Sequence, residues 1–523
     1  MRATKKHLSK LLPNDVEALK KIIAEKDNII TFKEQRITLL EEFVRLHNLK
    51  TFTSSSEKSV DQREMFNEAE LSVVAEEVLA EQEVEREAQS NSASDKPNKK
   101  AGRKPLPDNL PRIRIEHTVP DAKNICDCGC QRVVIGEETS EQLDIIPAKV
   151  QVIVNVRKKY ACQQCEAGVI TASLPPQPIP KSNASPGLLA HVATAKHQDG
   201  LPLYRQEVVL NRSGVDIPRN TLASWMIKSG ELIQPLINLL EDKLLAYPVM
   251  HADETTLQVL KEPDKQASQT SYMWVRVGGP PAQPIRLFHY ADSRRGEVAC
   301  HLLAGYEGYL QTDDYAGYNA ACAENSITQL GCWAHARRKF IDAQKANSSK
   351  HKKTGKADVA INLIGKLYAI EKRIKAFSPE DKYTVRQQEA IPILADIRQW
   401  LDKTLHSILP KGLLGKALSY LEKNWAKLTV YTEDGRLSID NNPAENAIRP
   451  FVIGRKNWLF SATVRGAKSS ANLYGLIETV KANGLEPYAY LRHIFKELPK
   501  VASVEDIEAL LPWNVDMQMI AVG

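Results

Sequence analysis

The chain has 523 residues, 43% of them apolar and 26% charged, with a net charge of +6; that length exceeds what one hydrophobic core organises and predicts roughly three to five units. No apolar run approaches the ~20 residues that cross a bilayer, and MRATKKHLSKLLPND at the start lacks the apolar stretch of a signal peptide, which excludes a membrane protein and predicts a cytoplasmic one. The charge is patchy: residues 61–90 hold ten acids and two bases, residues 96–104 five bases and no acid, and residues 337–356 eight bases against Asp342. Basic clusters divided by an acidic segment suit a partner that carries phosphates, although solvated surface explains any one of them as well.

In residues 1–50, Val16, Ile23, Ile30, Ile37 and Val44 recur every seven residues and all are β-branched, the a-position pattern of a parallel dimeric coiled coil. The d positions, Leu19, Lys26, Lys33, Leu40 and His47, leave the seam polar in its middle, so the pairing is expected to be weak. An amphipathic helix packed on its own chain is the alternative. Residues 51–110 form an acidic and then a basic linker, rich in Ser, Asn, Lys and Pro and unable to bury much apolar area. Its GRKP stretch, with Arg103 and Lys104, resembles the small basic arms that enter a minor groove; a solvated linker is the simpler reading.

Five of the eight cysteines fall within residues 126–165 of a segment spanning 111–180. In a reducing compartment such clustering points to metal rather than disulfides. Cys126, Cys128 and Cys130 in CDCGC, then the β-rich KVQVIVNVRKKYAC, then Cys162 and Cys165 in CQQC have the layout of a zinc ribbon, where four thiolates complete a tetrahedron. Three thiols compete for two places in the first knuckle.

Residues 186–245 read as helices. In LYRQEVVLNRSGVDIPRNTLASWMIKSG an amphipathic helix, a turn at Gly214 and a second helix opened by Pro218 and Asn220 fit a helix-turn-helix. Residues 246–340 change to strands: YPVMHADETTLQVL, SYMWVRVGG and PIRLFHYAD, then a helix at GEVACHLLAGY, then strands at GYLQTDDYAGY and SITQLGCW, a mixed α/β unit. Residues 341–430 read as mainly helical, 431–495 as the return to the α/β unit, and 496–523 as a C-terminal segment.

Three acids stand out. Asp253 interrupts an apolar strand, Asp313 ends another, and Glu445 lies at a helix start in DNNPAENAIRP, with Asn442 as cap and Pro443 at the first position. Singly, each has a structural explanation: a strand-edge cap, a turn, a capping box. Together they are the hard oxygen ligands that two Mg²⁺ ions about 4 Å apart require for in-line attack on a phosphodiester. Cys332 and His335 offer two further ligands, too few for zinc, and His335 is read as facing the active site or structural.

The chain resembles bacterial transposases of the insertion-sequence-66 family over nearly its whole length, in the blocks FTSSSEK, GEETSEQLDIIPAKVQVI, KYACQQC, PLYRQE, HADETT, LQTDDYAGYN, GCWAHARRKF, LSIDNNPAENAIRPFVIGRKNWLF and ALLPWN. The resemblance implies a multidomain α/β chain: an RNase H-like catalytic core with a helical insertion, preceded by coiled coil, zinc ribbon-like module and helix-turn-helix-like helices. It implies a DDE triad of Asp253, Asp313 and Glu445, binding two magnesium ions, for DNA strand cleavage at element ends and strand transfer into target DNA. The family's usual glycine after the second acid is Asp314 here; strand alternation turns neighbours to opposite faces, so Asp313 is kept. A cysteine pair followed by glycine matches Cys128 and Gly129, which makes Cys126, Cys128, Cys162 and Cys165 the structural zinc ligands and Cys130 the extra thiol. Between Asp313 and Glu445 lie 131 residues, so most of them form the insertion. Arg337, Arg338, Lys339, Arg449, Arg455 and Lys456 flank the acids, where DNA must approach and binding should depend on salt. Expected partners are double-stranded DNA, a second copy of the chain, and accessory proteins encoded by the same element. A DNA-binding repressor without catalysis, or a nuclease that only hydrolyses, is the rival reading; retention of all three acids favours the active transposase.

Overall fold

The computed structural model describes Lys20, Lys26, Asp27, Ile30 and residues 150–161, 169–346 and 355–516. The four described positions near the start are helical. The rest of the expected coiled coil, the linker with Arg103 and Lys104, and Cys126, Cys128, Cys130, Cys162 and Cys165 lie outside the described residues. Two compact units are present, residues 76–173 and a larger one that includes 174–523.

In the smaller unit, β1 (Lys159–Ala161) and β2 (Val169–Thr171) pair antiparallel with Tyr160 opposite Ile170, framing the CQQC segment. The β-rich run expected from Lys149 onward is a strand only at its end. Residues 150–158 join no ladder among the described residues, since alternation makes a strand only where a neighbour supplies hydrogen bonds.

The larger unit begins with four helices, α1 (Pro186–His197), α2 (Leu203–Arg212), α3 (Arg219–Leu232) and α4 (Gln234–Leu245). Ser185 caps α1, its hydroxyl accepting from the Leu188 amide at 3.1 Å ahead of Pro186. Gly214, at φ +78°, makes the turn between α2 and α3. A mixed sheet follows: β3 (Val249–Lys261), β4 (Thr270–Gly278), β5 (Ile285–Ala291), helix α5 (Gly296–Leu302), β6 (Tyr309–Gln311), helix α6 (Tyr318–Glu324) and β7 (Thr328–Leu330). The spatial order is β5-β4-β3-β6-β7, antiparallel among the first three and parallel from β3 to β7. The three strands, the helix and the two further strands stand where the sequence puts them, but α6 between the last two was not foreseen: seven residues are too few to show a helical period.

The described residues between 333 and 429 are mainly helical, as α7 (Trp333–Ala346), α8 (Lys356–Arg373), α9 (Pro379–Val385) running into a π-helical turn at Arg386–Ala390, α10 (Ile391–Leu405), α11 (Leu413–Lys423) and α12 (Trp425–Thr429). Phe340, Ile364, Leu367, Ile397, Leu401, Leu418 and Leu421 fill their own core, which touches the sheet at Val249 and Leu330. The chain then returns as α13 (Asn442–Trp458), β8 (Ser461–Thr463), α14 (Val464–Ala482), α15 (Pro487–Glu497) and α16 (Val504–Ala509).

Alternation along β3 separates two cores. Met250 and Ala252 face the α1–α6 side with Trp274 and Leu287, whereas Leu257 and Val259 face α13 with Met273, Val275 and Phe288. The α1–α4 segment shares the first of these cores with the sheet. Along α3, Gly230 lets the helix meet α14 backbone to backbone: a Cβ there would lie 2.7 Å from Ser469 Cα. The outer edge of β5, a liability if left open, is closed by Thr479 of α14, whose hydroxyl accepts from the Arg286 amide at 3.0 Å and donates to its carbonyl at 2.9 Å.

Candidate active site

The site forms at a gap beside β3. Its first residues pair with β6, ending at His251 opposite Gln311, and its last with β8, from Val259 opposite Ser461. Between these, no strand among the described residues pairs with the β3 edge. Asp253 sits at the start of that gap, half-buried, two residues past the last β6 pair. Asp313 follows Gln311, the last paired residue of β6, by two positions, as Asp253 follows its partner His251. Asp314 meets Lys423 at 3.0 Å, whereas Asp313 accepts the Tyr315 amide at 2.9 Å and has Arg294 at 3.7 Å.

Glu445 comes from the first turn of α13. The cap is Asn441, one residue earlier than the sequence predicts, and its side chain does not cap the helix. It donates instead to the Ala252 carbonyl at 2.9 Å and meets His251 Nδ1 at 3.2 Å, fixing the helix start to the strand residue before Asp253. Asn441 also donates its backbone amide to Cys332 Sγ at 3.3 Å, and the Trp333 amide reaches the Ile439 carbonyl at 3.2 Å. Three segments distant in sequence are thereby locked at one point, and Glu445 is buried there.

The electrostatics follow from this crowding. The Asp253 carboxyl is held well above the usual carboxylate range, first by burial and then by Glu254, Asp313 and Glu445. The charges of both Asp313 and Glu445 thus reach Asp253. Glu254, on the opposite face of β3, is pushed up to about 7 by burial and then by Asp313, against the pull of Arg294; Arg294 holds it at 2.5 Å and Tyr318 donates to it at 2.6 Å. The Arg294 guanidinium stacks 3.8 Å over Tyr315, so one cation joins Glu254 to Asp313. His251 is lowered to about 4 by burial, and His335 is also lowered, mainly by burial and against the raising effect of Glu445.

Among the basic residues, Arg337 and Lys339 are exposed on α7, Lys339 over the Tyr420 ring at 4.7 Å, and Lys456 is exposed at the end of α13. Arg338 and Arg449 are half-buried. Arg455 is also half-buried and ties α13 to β3 through the Thr255 hydroxyl at 3.3 Å and the Thr256 hydroxyl at 2.8 Å. Sequence reasoning missed Glu254, Arg294, Tyr318 and Asn441. Glu254, Tyr318 and Asn441 lie inside the HADETT, LQTDDYAGYN and DNNPAEN blocks, whereas Arg294 lies outside every block and carried no signal. Cys332, His335 and Glu445 lie with their ligand atoms within 4.8 Å of one another, a grouping that 109 intervening residues between His335 and Glu445 hide from the sequence.

Comparison with known proteins gives four family matches: the Transposase IS66 family over residues 181–469, the IS66 C-terminal element over 475–513, the zinc-finger binding domain of transposase IS66 over 123–166, and the Transposase C of IS166 homeodomain over 39–115. The uncharacterized protein y4qI of Sinorhizobium fredii is 32% identical, covering 96% of this chain and 97% of its own length. The uncharacterized protein y4hP of the same organism is 32% identical over 87% of this chain and 84% of its own.

Proposed function

Because the chain belongs to the IS66 family of transposases, we propose that it catalyses magnesium-dependent DNA strand cleavage at element ends and strand transfer into target DNA, through Asp253, Asp313 and Glu445. The observation that carries this reading is the convergence of those three carboxylates from β3, the end of β6 and α13 onto one gap, where their mutual repulsion holds Asp253 far above its ordinary range. Carboxylates pressed together in this way are a donor set suited to a hard divalent cation. The sheet order, three antiparallel strands followed by two parallel ones, supports an RNase H-like core interrupted by the α7–α12 helices.

The chemistry consists of two in-line displacements at phosphorus. In the first, water attacks a phosphodiester at the element end, the P–O3′ bond breaks, and a 3′ hydroxyl is released. In the second, that hydroxyl attacks a target phosphodiester and displaces its 3′ oxygen. Two magnesium ions held by the three acids would supply polarisation of the phosphoryl oxygen, activation of the attacking oxygen and stabilisation of the leaving one. The protein's own part is placement. Asn441 sets the depth of Glu445 against β3, Arg294 steadies Asp313 through Glu254, and Lys423 keeps Asp314 turned away.

DNA approaches over Arg337, Lys339 and Lys456, with Arg338 and Arg449 deeper and Arg455 acting from its tie to β3. In α3 the exposed residues Asn220, Ser224 and Lys228 form one stripe opposite the face that packs on α14, as a groove-reading helix requires. Zinc bound by Cys126, Cys128, Cys162 and Cys165 would hold the small module together, and residues 1–50 would pair two copies. Incubation of the full chain with labelled element ends, target duplex and Mg²⁺ tests the reading. Joined product supports it, nicked ends without joining would indicate a nuclease, and binding without cutting a repressor.

A further inference from the structure

We propose that Cys332, His335 and Glu445 form a binding site for a thiophilic divalent cation of the zinc class, and that its occupation withdraws Glu445 from the carboxylate cluster and silences cleavage. The second half rests on the function proposed above; the binding site stands on geometry alone. The three ligand atoms, one sulfur, one ring nitrogen and one carboxylate oxygen, lie within 4.8 Å of one another and all three residues are buried. Zinc with its sulfur ligand at about 2.3 Å and nitrogen or oxygen at about 2.0 Å holds tetrahedral neighbours roughly 3.3–3.5 Å apart. Small side-chain rotations close the difference.

Each donor is held where a metal would need it. Cys332 immediately precedes α7 and its carbonyl accepts the Ala336 amide at 3.4 Å, which places the thiol at the start of that helix; burial pushes the thiol up, against the Asn441 amide, and a bound cation would displace its proton. Its sulfur already accepts the Asn441 amide at 3.3 Å, the kind of N–H donation that stabilises a metal-bound sulfur. His335 follows three residues on, in the first turn of the same helix. Glu445 arrives in the first turn of α13, whose cap is the same Asn441. The sulfur and the carboxylate are therefore positioned through one residue.

The ligand set also selects the ion. A thiolate and an imidazole favour zinc over magnesium, which takes oxygen ligands and keeps its waters. Three protein ligands leave a fourth place for water. Drawing the Glu445 carboxylate onto the thiol and imidazole, and neutralising its charge there, leaves it a poorer ligand beside Asp253 and Asp313, so the two occupations compete.

The test uses the full chain with its zinc module filled and Co²⁺ alone as probe. Wild-type protein should bind one further equivalent of Co²⁺ with a thiolate-to-cobalt charge-transfer band. Cys332→Ala should lack the band, and His335→Gln should weaken the binding by more than about tenfold. Identical cobalt spectra for wild type and Cys332→Ala would overturn the site. Should Cys332→Ala lose its fold by circular dichroism, unchanged cobalt affinity in His335→Gln would overturn it equally. Added Zn²⁺ should remove most Mg²⁺-supported cleavage by wild type and little of that by Cys332→Ala; equal inhibition of both would refute the competition. If no protein cleaves DNA but the cobalt band still depends on Cys332, the site stands and the proposed catalysis fails.

Discussion

Arg386→Met is expected to cost about 3–5 kcal/mol of stability, because it strands a charge rather than merely removing a contact. The guanidinium is 2% exposed and holds Glu371 through two hydrogen bonds, of 2.9 and 2.7 Å. Its other protons go to the carbonyls of Tyr431 and Asp434, both at 2.8 Å, and Leu437 at 2.9 Å. Methionine fills the space but donates nothing. Glu371, itself only 15% exposed, would be left without its main partner, and the three carbonyls would add to the loss. Those carbonyls belong to the segment that leads through buried Leu437 and Ile439 to Asn441 and Glu445, so a loosened segment should also lower cleavage in protein that remains folded. Urea unfolding of the full chain, followed by tryptophan fluorescence, measures the first effect. The double variant Arg386→Met/Glu371→Leu should be more stable than Arg386→Met alone, since it removes the stranded carboxylate. A single variant within about 1 kcal/mol of the parent, or a double variant equal to the sum of the singles, would refute the reasoning.

Asp314→Asn should keep most cleavage and lose less than about 1 kcal/mol, because its partner Lys423 is 66% exposed; an inactive Asp314→Asn beside an active Asp313→Asn would mean the second acid is off by one. Cys162→Ser should remove the single zinc expected in the small module, read by elemental analysis of protein purified without chelator, and unfold that module. The buried histidines should lower stability on acidification below about 6.5, the ordinary histidine value, while the raised Asp253 and Glu254 carboxyls act in the opposite sense. Burial holds His197 well below that value and His289 down to about 4, so between these limits the unfolded chain binds protons that the folded chain refuses. Above about 6.5 neither state is protonated and the contribution is constant. The test is therefore the difference between variants: between neutral pH and pH of about 4.5, His289→Gln should gain stability relative to the parent, and an equal change in both would contradict this.

The candidate acids stood out in the sequence because each sits at a break in the local pattern. Asp253 breaks an apolar run, Asp313 follows a strand and Glu445 opens a helix; alternation allowed only one of Asp313 and Asp314 to face the site, and the family resemblance chose Asp313. The fold followed where periodicity was long: β3, β4, β5 and the helices of 333–429. It failed where elements were short, as with α6, or where a ladder needs a neighbour, as in residues 150–158. The support around the acids was not legible, since it depends on contacts between distant segments. Arg294 reaches Glu254 across 40 residues and Asn441 reaches Ala252 across 189, and no local spacing encodes either. The Asn442 cap and the capping-box explanation of Glu445 gave way for the same reason: Asn441 forms its side-chain bonds to β3 rather than to its own helix.

The central claim is that the charges of Asp253, Asp313 and Glu445 hold the metal that cuts DNA. A unit charge about 4 Å from a cation contributes about 4 kcal/mol at an effective dielectric constant of about 20, which corresponds to roughly a thousandfold in rate. The most direct measurement is Mg²⁺-dependent cleavage of labelled element ends by Asp253→Asn, Asp313→Asn and Glu445→Gln, with DNA binding by each variant measured in parallel. The account predicts that each loses at least that factor in cleavage while binding DNA nearly as the parent does, because the basic surface and not the acids carries the affinity. Cleavage at the parental rate by all three would contradict it.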